Sequence, residues 1–310
     1  MKATPLQRLE ATLSGVVLGQ RAVLADLITS FLARGHVLLE GVPGVAKTLT
    51  ARTLAKALGL SFTRIQFTPD LMPSDVVGTS VFRPQDAGFH LVKGPIFTEV
   101  LVADEVNRTP PKTQAALLEA MEERQVTIDG VTHPLPPHFF VVATQNPLEL
   151  EGTYPLPEAQ LDRFLMRVRV GYPDAAAELE LLTRPQTAQA ALEQVARVLP
   201  LEELTALQAE AARVRCDESV SRYALALVRA TRESPKLKLG ASPRAGLGLL
   251  AAAKARAALA QKGFVTPDEV KAVAPSVLNH RLVVKAEAEV DGVSADDVIA
   301  SLLESVEIPR

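Results

Sequence analysis

A glycine-rich turn constrains this chain more than any other feature of its sequence. The turn, Gly-Val-Pro-Gly-Val-Ala-Lys-Thr, covers residues 41–48 and follows a short apolar run over 36–40 that is typical of a buried strand. Residues 48–58 come next, and their leucines recur near helical spacing. A strand that turns sharply through glycines into a helix N-terminus directs several backbone N–H groups at one point. The segment therefore predicts an anion-binding cradle between a strand and a helix.

The last residues of this turn add side-chain chemistry to the cradle. Lys47 is placed to reach the outer phosphates of a triphosphate, and the Thr48 hydroxyl can ligate Mg²⁺. One residue departs from the usual pattern, because Ala46 stands where the second glycine belongs. An alanine fits there if its φ is negative, although its methyl group narrows the approach to the phosphates. The alternative is a glycine-rich turn in an α/β protein of another kind, but the position between a strand and a helix favours phosphate binding.

Composition limits the class of protein. The chain has 310 residues, with 47% hydrophobic and 22% charged residues, which is ordinary for a soluble globular protein with room for two domains. A net charge of −3 and 4% aromatic residues argue against a dedicated nucleic-acid binder, although a basic pore built by several subunits would escape this test. Cys216 is the single cysteine, which excludes a disulfide framework or a cysteine zinc site. No apolar run approaches ~18 residues, and the N-terminus has no signal-like stretch, so we expect a soluble, cytoplasmic protein.

Two kinds of sequence pattern meet near residues 171–174. In residues 1–172, short β-rich runs alternate with helical patterns, which predicts an α/β domain with a parallel sheet and flanking helices; strands are expected over 37–39, 62–67, 100–103 and 139–144. Residues 173–310 predict a smaller all-α domain, with helices over 175–182, 201–214, 220–233, 243–262, 267–278 and 295–305. Ser219 and Thr266 are the expected N-caps, and Pro267 suits a first helical position.

Two hairpins are predicted within the first domain. The runs 126–128 and 131–133 flank Asp129-Gly130, a dipeptide typical of a type I′ turn. The runs 79–83 and 89–92 flank a turn over 84–88. Hairpins are common, so the pattern alone assigns them no function.

The apolar run over 100–103 ends in two carboxylates, Asp104 and Glu105. Acids are rarely left beside a core without partners, and this pair follows a phosphate cradle in the same predicted domain. Asp104 fits the acid that holds Mg²⁺, directly or through water, and Glu105 could polarise a water molecule toward the γ-phosphorus. A strand that ends in a solvated acidic turn is the alternative.

Residues 139–144 form another apolar run, and Asn146 follows it. An amide beside the acidic strand can hydrogen-bond both a γ-phosphate and an attacking water. Asn146 precedes Pro147, however, and Asn-Pro often initiates a turn, so this residue alone does not decide between the two roles. Phe139 and Phe140 are expected in the core. The five histidines show no metal-ligand spacing and are expected to be structural or at the surface: His36, His90, His133, His138 and His280.

Taken in order, these segments make the chain resemble the AAA+ ATPases, and specifically the MoxR family. The cradle with Ala46 is itself a MoxR-like variant. Four further blocks are similar to that family: Asp-Glu-Val-Asn-Arg-Thr-Pro-Pro-Lys from residue 104, Leu-Leu-Glu-Ala-Met-Glu-Glu from residue 117, Ala-Thr-Gln-Asn-Pro from residue 143 and Leu-Pro-Glu-Ala-Gln-Leu-Asp-Arg-Phe from residue 156. The resemblance covers the first domain almost throughout and extends to Ser-Pro-Arg-Ala from residue 242.

The resemblance implies a role for each matching residue. The ATP cradle would consist of Gly41, Val42, Pro43, Gly44, Val45, Ala46, Lys47, Thr48 and Leu49, with Lys47 and Thr48 as the Walker A pair. Asp104 and Glu105 would be the Walker B pair, with Thr48 and Asp104 on Mg²⁺, and Asn146 would be sensor 1. Arg163 would be an arginine finger that reaches the nucleotide of a neighbouring subunit, and Arg244 would be sensor 2 on the helical lid. Gly19 and Gln20 lie where such proteins contact adenine.

By this resemblance the chain is expected to hydrolyse ATP as a chaperone-like remodeller of protein clients, assembled as a ring of six copies, with a von Willebrand factor A-domain protein as partner or client. The hairpins would be the helix-2 insert and the pre-sensor-1 hairpin, which face a pore or a client. Two alternatives stay open: a nucleotide-dependent binding switch with little turnover, and a chelatase-type subunit or nucleic-acid motor. Glu105, Arg163 and Arg244 together favour hydrolysis, and a small-molecule kinase would need neither Asn146 nor the remote arginines. Arg108 could line the subunit interface and is not assigned to catalysis.

Overall fold

The computed structural model describes residues 3–149, 151–184 and 186–309. Its strands are β1 (Val37–Glu40), β2 (Phe62–Gln66), β3 (Gly78–Arg83), β4 (Gly88–Lys93), β5 (Val100–Asp104), β6 (Gln125–Ile128), β7 (Val131–Pro134), β8 (Phe140–Gln145), β9 (Met166–Arg169), β10 (Leu237–Leu239) and β11 (Val283–Val284). Its helices are α1 (Pro5–Val16), α2 (Arg21–Leu32), α3 (Lys47–Leu58), α4 (Pro73–Val77), α5 (Pro111–Glu123), α6 (Glu158–Leu161), α7 (Ala175–Thr183), α8 (Ala188–Glu193), α9 (Leu201–Arg213), α10 (Glu218–Glu233), α11 (Pro243–Leu259), α12 (Pro267–Leu278), α13 (Ala286–Val290) and α14 (Ala295–Ser305).

A five-stranded sheet in the order β2-β5-β8-β1-β9 organises the first half of the chain. The pairs β2/β5, β5/β8 and β1/β8 are parallel, and Val170, directly after β9, donates its N–H to the Glu40 carbonyl at 2.7 Å. Residues 100–103 are fully buried, as expected for a parallel strand covered on both faces. Phe139 and Phe140 are each 2% exposed, which confirms their place in the core. The predicted fold class, a parallel sheet with flanking helices followed by a helical lid, is confirmed.

Internal packing divides the chain into two compact units. The first contains the residues up to 24 together with 36–163 and 169–201, and the second contains 25–35, 164–168 and the residues from 202 onward. Helices α10, α11, α12 and α14 pack against one another within the second unit. A compact unit need not coincide with a domain in the chain, so the expected boundary between residues 172 and 173 stays a prediction.

The helix ends follow the predicted capping signals with one exception. The backbone N–H of Thr266 donates to the Glu269 carboxylate at 2.8 Å, in a capping box that starts α12, and α14 has its expected bounds. The N-cap predicted for α10 is wrong: Asp217 caps this helix, because its carboxylate reaches the backbone N–H of Ser219 at 2.9 Å. Helix α11 ends earlier than expected, where Gln261 adopts φ 58°.

Among the described residues, we find no helix with both the length and the apolarity to cross a bilayer.

Both predicted hairpins are confirmed. Strands β6 and β7 pair antiparallel around Asp129 and Gly130, whose φ values of 49° and 79° are those of a type I′ turn. Strands β3 and β4 also pair antiparallel. Near the tip of that hairpin, the rings of Phe82 and Phe89 pack edge to face with centroids 5.4 Å apart, yet the two residues stay 50% and 74% exposed. The β3–β4 hairpin therefore presents an apolar surface to solvent.

Three histidines are buried, as expected for structural histidines: His36, His138 and His280. Nδ1 of His36 accepts the N–H of Val141 at 3.0 Å, and Nε2 lies 3.0 Å from the Met121 carbonyl, so Nε2 carries the hydrogen. Burial, and then the charge of Arg124, lower the pKa of His36 to about 3. Burial likewise lowers the pKa of His280 well below its ordinary value. The rings of His36 and His280 are therefore neutral in the folded protein near neutral pH.

We expect acid to destabilise the protein through these histidines. A ring that stays neutral in the folded state but binds a proton when unfolded lowers the unfolding free energy by about 1.4 kcal/mol per pH unit below its unfolded pKa, because the unfolded chain then holds more protons. A His36→Gln variant should therefore have a shallower fall of unfolding free energy between pH ~6 and ~4, measured by urea titration. As a control, Val131→Gln alters a residue that is 57% exposed and has no titratable group, and it should keep the wild-type slope. Equal slopes for His36→Gln and wild type would contradict this assignment.

Candidate active site

Three neighbouring strands bring their carboxyl ends to one edge of the sheet. Strand β8 lies between β1 and β5, and the register places Glu40 opposite Gln145. The glycine-rich turn follows β1, Asp104 ends β5, and Asn146 follows β8. Ligands of open α/β sheets bind at this carboxyl edge. Three of the predicted site segments therefore meet at one place within the first compact unit.

The turn before α3 has the backbone shape of an anion-binding loop. Gly44 has φ 88°, and a side chain there would meet no atom within 4 Å, so the space beside it is open. Gly41 lacks a side chain for a different reason, because a Cβ there would overlap the Val170 carbonyl oxygen. A loop with open space beside its glycine and a helix N-terminus behind it fits a phosphate group.

Ala46 does not meet the condition under which an alanine would fit easily, a negative φ. This residue caps α3 in the left-handed region, with φ 63° and ψ 21°. That conformation destabilises a residue with a Cβ by about 1–2 kcal/mol. The turn imposes it nonetheless, because a left-handed residue directly before the first helical residue lets the chain pass from the concave loop into the helix. Backbone geometry here overrides the preference of the side chain.

Lys47 points back over the loop. Its Nζ donates to the Gly41 carbonyl and lies 3.4 Å from the Gln145 carbonyl at the end of β8. Burial lowers the pKa of Lys47, while the charges of Asp104 and Glu105 act in the opposite direction. The ammonium group therefore lies between the cradle and the acidic strand end, where a phosphate could replace the carbonyls as its partner.

Asp104 is held from several sides. Its Oδ1 accepts the hydroxyl of Thr144, and its Oδ2 accepts Nε and Nη2 of Arg64 at 2.9 and 2.6 Å. The Thr48 hydroxyl lies 3.4 Å from the same Oδ2. A hydroxyl and a carboxylate at this distance are oxygen donors of the kind that Mg²⁺ prefers, so the residues fit a magnesium site.

Glu105 turns away from the strand. It adopts φ 56°, and its backbone N–H donates to the Thr144 hydroxyl at 2.9 Å. Its carboxylate accepts the amide of Gln66 at 2.7 Å and lies 3.2 Å from Nε of Arg108. The Gln66 amide oxygen in turn accepts Nη2 of Arg64 at 2.8 Å. A chain of hydrogen bonds therefore joins the two acids of the strand end through β2.

The residues that hold these acids were not predicted from the sequence. Arg64 and Gln66 are two apart on β2, and such spacing puts both side chains on one face of a strand. Two polar residues with that spacing beside an apolar core residue, Ile65, were the signal that could have found them. Thr144 gave no signal, because a threonine in an apolar strand is common.

Asn146 serves a turn and also lies at the sheet edge. Its Oδ1 accepts the N–H of Leu148 at 3.2 Å, as expected for the turn alternative. Its side chain also hydrogen-bonds Glu149, whose pKa is lowered first by a hydrogen bond from Arg108 and further by Asn146 and the Lys47 charge. Arg108 thus bridges Glu149 and Glu105, and its own pKa is raised by these acids, Glu149 first.

The remaining predicted site residues have contacts of their own. Gly19 (φ 72°) packs so closely on Pro173 and Ala177 that a Cβ would come within 2.8 Å of both, and Nε2 of Gln20 donates to the Gly171 carbonyl at 2.7 Å. For the finger and sensor residues, Nε of Arg163 lies 3.2 Å from a carboxylate oxygen of Glu122, and Arg244 is an exposed residue at the start of α11 in the second unit. The structure thus gathers Lys47, Thr48, Asp104, Glu105 and Asn146 within the first unit, whereas Arg163 is paired with Glu122, and the roles of Arg163 and Arg244 stay predictions.

Comparison with known proteins places this arrangement in a family. Residues 36–166 match the model of the ATPase family associated with various cellular activities (AAA), and residues 229–302 match the AAA lid domain. The chain is 43% identical over 314 residues to Chaperone MoxR1 of Mycobacterium tuberculosis, which covers 98% of this chain and 82% of that protein. The chain belongs to the MoxR family of AAA+ ATPases. Its resemblance to that family is thereby confirmed.

Two further similarities extend over almost the whole of this MoxR-family chain. It is 46% identical over 294 residues to Uncharacterized protein YeaC of Bacillus subtilis, with 95% of this chain and 92% of that one covered. A crystal structure of a candidate ATPase of Cytophaga hutchinsonii matches it with a TM-score of 0.91 and 42% identity, covering 99% of this chain and 95% of the other. Nucleotide binding and ATP hydrolysis are general properties of the AAA ATPase family.

Replacing Ala46 by glycine should stabilise the protein by roughly 0.5–1 kcal/mol. The substitution removes a left-handed penalty of about 1–2 kcal/mol and adds only about 0.4–1 kcal/mol of unfolded-state entropy. Unfolding in denaturant measures the change. The matched control is Ala51→Gly within α3, a fully buried helical position, which should lose about 1 kcal/mol or more. Losses of equal size in both variants would contradict the left-handed assignment of Ala46.

Proposed function

We propose that this protein is a Mg²⁺-dependent ATP hydrolase whose copies assemble into a ring that remodels a protein client. Membership of an AAA ATPase family supports nucleotide hydrolysis in general. The observation that carries the proposal is the meeting of a lysine, a threonine hydroxyl and two carboxylates, those of Asp104 and Glu105, at one sheet edge. These groups are the phosphate-binding cation, the metal ligands and the base that phosphoryl transfer to water requires.

ATP would bind with its phosphates in the loop of residues 41–48. The backbone N–H groups of the loop, of Leu49 and of the start of α3 would donate to phosphate oxygens, and Lys47 would exchange its carbonyl partners for the outer phosphates. Gly19 and Gln20 would contact adenine through their backbone, since the Gln20 side chain is engaged by the Gly171 carbonyl.

Thr48 and Asp104 would hold Mg²⁺ through oxygen atoms that lie 3.4 Å apart. When bound, Mg²⁺ neutralises negative charge that develops on the phosphate oxygens. The contribution of the protein is to keep the ligands in place. Thr144 does this for Asp104 by donating its hydroxyl to Oδ1, so the carboxylate cannot rotate freely.

Glu105 would act as the general base. It would accept a proton from the water that attacks the γ-phosphorus, while the bond from that phosphorus to the bridging oxygen breaks and ADP leaves. Thr144, Gln66 and Arg108 fix its backbone and carboxylate, which supports a role that depends on direction. Asn146, 5% exposed at the same edge, would orient the attacking water.

Two arginines would complete the centre. Arg163 would reach the nucleotide of a neighbouring copy, and its side chain, 31% exposed and paired with Glu122 at 3.2 Å, is near enough to the surface for that task. Arg244 would act as sensor 2 from α11. A guanidinium is planar and permanently charged, so it stabilises charge on a transferring phosphoryl group, and a trans arginine can contribute about 10³–10⁵ in rate.

The β3–β4 hairpin supports the proposal that the protein acts on a protein client. Its exposed Val81, Phe82, Phe89 and Val92 form an apolar surface that suits contact with a protein chain. One relative bears the name Chaperone MoxR1. We therefore propose a chaperone-like role in the cytoplasm, six copies in the ring, and a von Willebrand factor A-domain protein as partner or client.

Replacing Glu105 by glutamine should lower ATP turnover at least ~100-fold and leave ATP binding intact, because the amide keeps the shape of the side chain but cannot accept the proton. Phosphate release and titration with a fluorescent ATP analogue measure the two properties. Glu304→Gln, at an exposed position of α14, is the matched control and should keep wild-type turnover.

Two results would contradict the proposal. Undiminished turnover in Glu105→Gln would remove Glu105 as the base. A wild-type protein that binds ATP but releases no phosphate, with or without a client, would favour the nucleotide-dependent binding switch.

A further inference from the structure

A motif at the end of α12 holds the strand that follows Arg163. The motif is Asn279-His280-Arg281, which we call the clamp motif, and its residues are only 3–7% exposed. Its partners lie in residues 164–168, which belong to the same compact unit. None of the roles assigned above involves these side chains.

Two side chains of the clamp motif hydrogen-bond the two residues that directly precede β9, Phe164 and Leu165. Arg281 donates from Nη2 to the Phe164 carbonyl at 2.7 Å and from Nη1 to the Leu165 carbonyl at 3.1 Å. It also donates to the Val277 carbonyl at the end of α12. His280 places Nε2 3.1 Å from the Phe164 carbonyl, and because a carbonyl only accepts, Nε2 is the donor. The Phe164 carbonyl therefore has two donors from the clamp motif.

Asn279, the remaining residue of the clamp motif, holds the strand at Arg167. Arg167 donates from Nε to the Asn279 side-chain oxygen at 3.2 Å and from Nη2 to the Asn279 carbonyl at 2.9 Å. Asn279 returns a hydrogen bond from its amide to the Arg167 carbonyl at 3.2 Å. The strand is thus held at Phe164, Leu165 and Arg167, which sets its position along and around its axis.

Filling a core position with a guanidinium is energetically unfavourable. Burying a charge is strongly unfavourable before its hydrogen bonds are counted, and well-packed apolar residues of similar volume are often as stable or more so. The buried Arg281 makes the contact directional, because the N–H groups of its planar guanidinium can donate to both carbonyls only when the two carbonyls have one particular relative orientation. Its presence at this place indicates that the orientation of the strand start matters.

The compact units change between Arg163 and Phe164, so the first residue gripped by the clamp motif is the one bonded to the predicted finger. Neighbouring Cα atoms are about 3.8 Å apart across a trans peptide bond. The backbone of Arg163 therefore cannot shift by much while the Phe164 carbonyl is held.

We infer that the clamp motif positions the arginine finger: His280 and Arg281 fix the Phe164 carbonyl and thereby the backbone from which Arg163 extends toward a neighbouring copy. The inference rests on the proposed function. It makes His280 and Arg281 positioning residues that act on the active centre of the next subunit, while the nucleotide pocket of their own subunit stays intact.

Mixed rings test this inference, because a finger defect and a pocket defect complement each other. Arg163→Ala keeps its own pocket, and Glu105→Gln keeps its own finger, so a mixture of the two should regain turnover that neither has alone. Arg281→Lys keeps the charge but loses the planar guanidinium that donates to two carbonyls at once. It should lower turnover by about 10–100-fold, which is the effect of misplacing a catalytic group by about 1 Å. Its affinity for a fluorescent ADP analogue should stay at the wild-type value. Mixed with Glu105→Gln it should regain turnover, and mixed with Arg163→Ala it should not.

Two further variants separate positioning from general destabilisation. Ser276→Ala lies on the same helix and removes the hydrogen bond from Ser276 to the half-buried Asp26 (2.7 Å) without touching the strand, so it should keep turnover. If Arg281→Lys does not fold, as judged by circular dichroism, His280→Leu and His280→Gln replace it in the same mixtures. The glutamine retains a donor and should retain more turnover than the leucine.

The outcomes are distinguishable. Turnover at the wild-type level in both Arg281→Lys and His280→Leu, or a loss that Glu105→Gln does not restore while Arg163→Ala is restored, would overturn the clamp inference alone. Failure of the Arg163→Ala and Glu105→Gln mixture to regain turnover would overturn the shared centre itself, and the clamp inference with it.

Discussion

The geometry of the site depends on the hydrogen bonds that the Asp104 carboxylate accepts. It accepts the Thr144 hydroxyl on one oxygen and the Arg64 guanidinium on the other, with the Thr48 hydroxyl 3.4 Å from the second. These partners come from β8, β2 and α3, so one buried charge couples the register of the sheet to the start of the helix behind the cradle. A buried carboxylate without such partners would be strongly destabilising, and the parallel register therefore has to bring these elements together. Thr144 extends the coupling by accepting the Glu105 N–H.

Residues 164–168 belong to the second compact unit and directly follow Arg163. The clamp motif, which is part of the same unit, hydrogen-bonds Phe164, Leu165 and Arg167. In the proposed mechanism this arrangement gives the helical lid a mechanical link to Arg163, separate from the direct contribution of Arg244. Hydrolysis would then depend on assembly for two reasons, since the finger comes from another copy and its backbone is set by the lid of that copy.

Much of the fold could be predicted, because its signals are local. The apolar strands, the Asp129-Gly130 turn and the Thr266 cap each depend on a few neighbouring residues, and the structure confirms them. Ala46 could not be predicted, since its left-handed φ is imposed by the turn rather than by its side chain. Arg64 and the clamp motif were missed for another reason. Their meaning lies in partners 40 residues and more than 100 residues away along the chain, which no local pattern reveals.

The central claim is that two neighbouring copies build each hydrolytic centre, and dilution tests it most directly. ATP turnover per protomer should be measured over a series of protein concentrations, with the oligomeric state followed at each by sedimentation. The account predicts that turnover per protomer falls in step with dissociation of the ring, because an isolated copy has a pocket but no finger from a neighbour. Turnover per protomer that stays constant while the protein dissociates to single copies would contradict it.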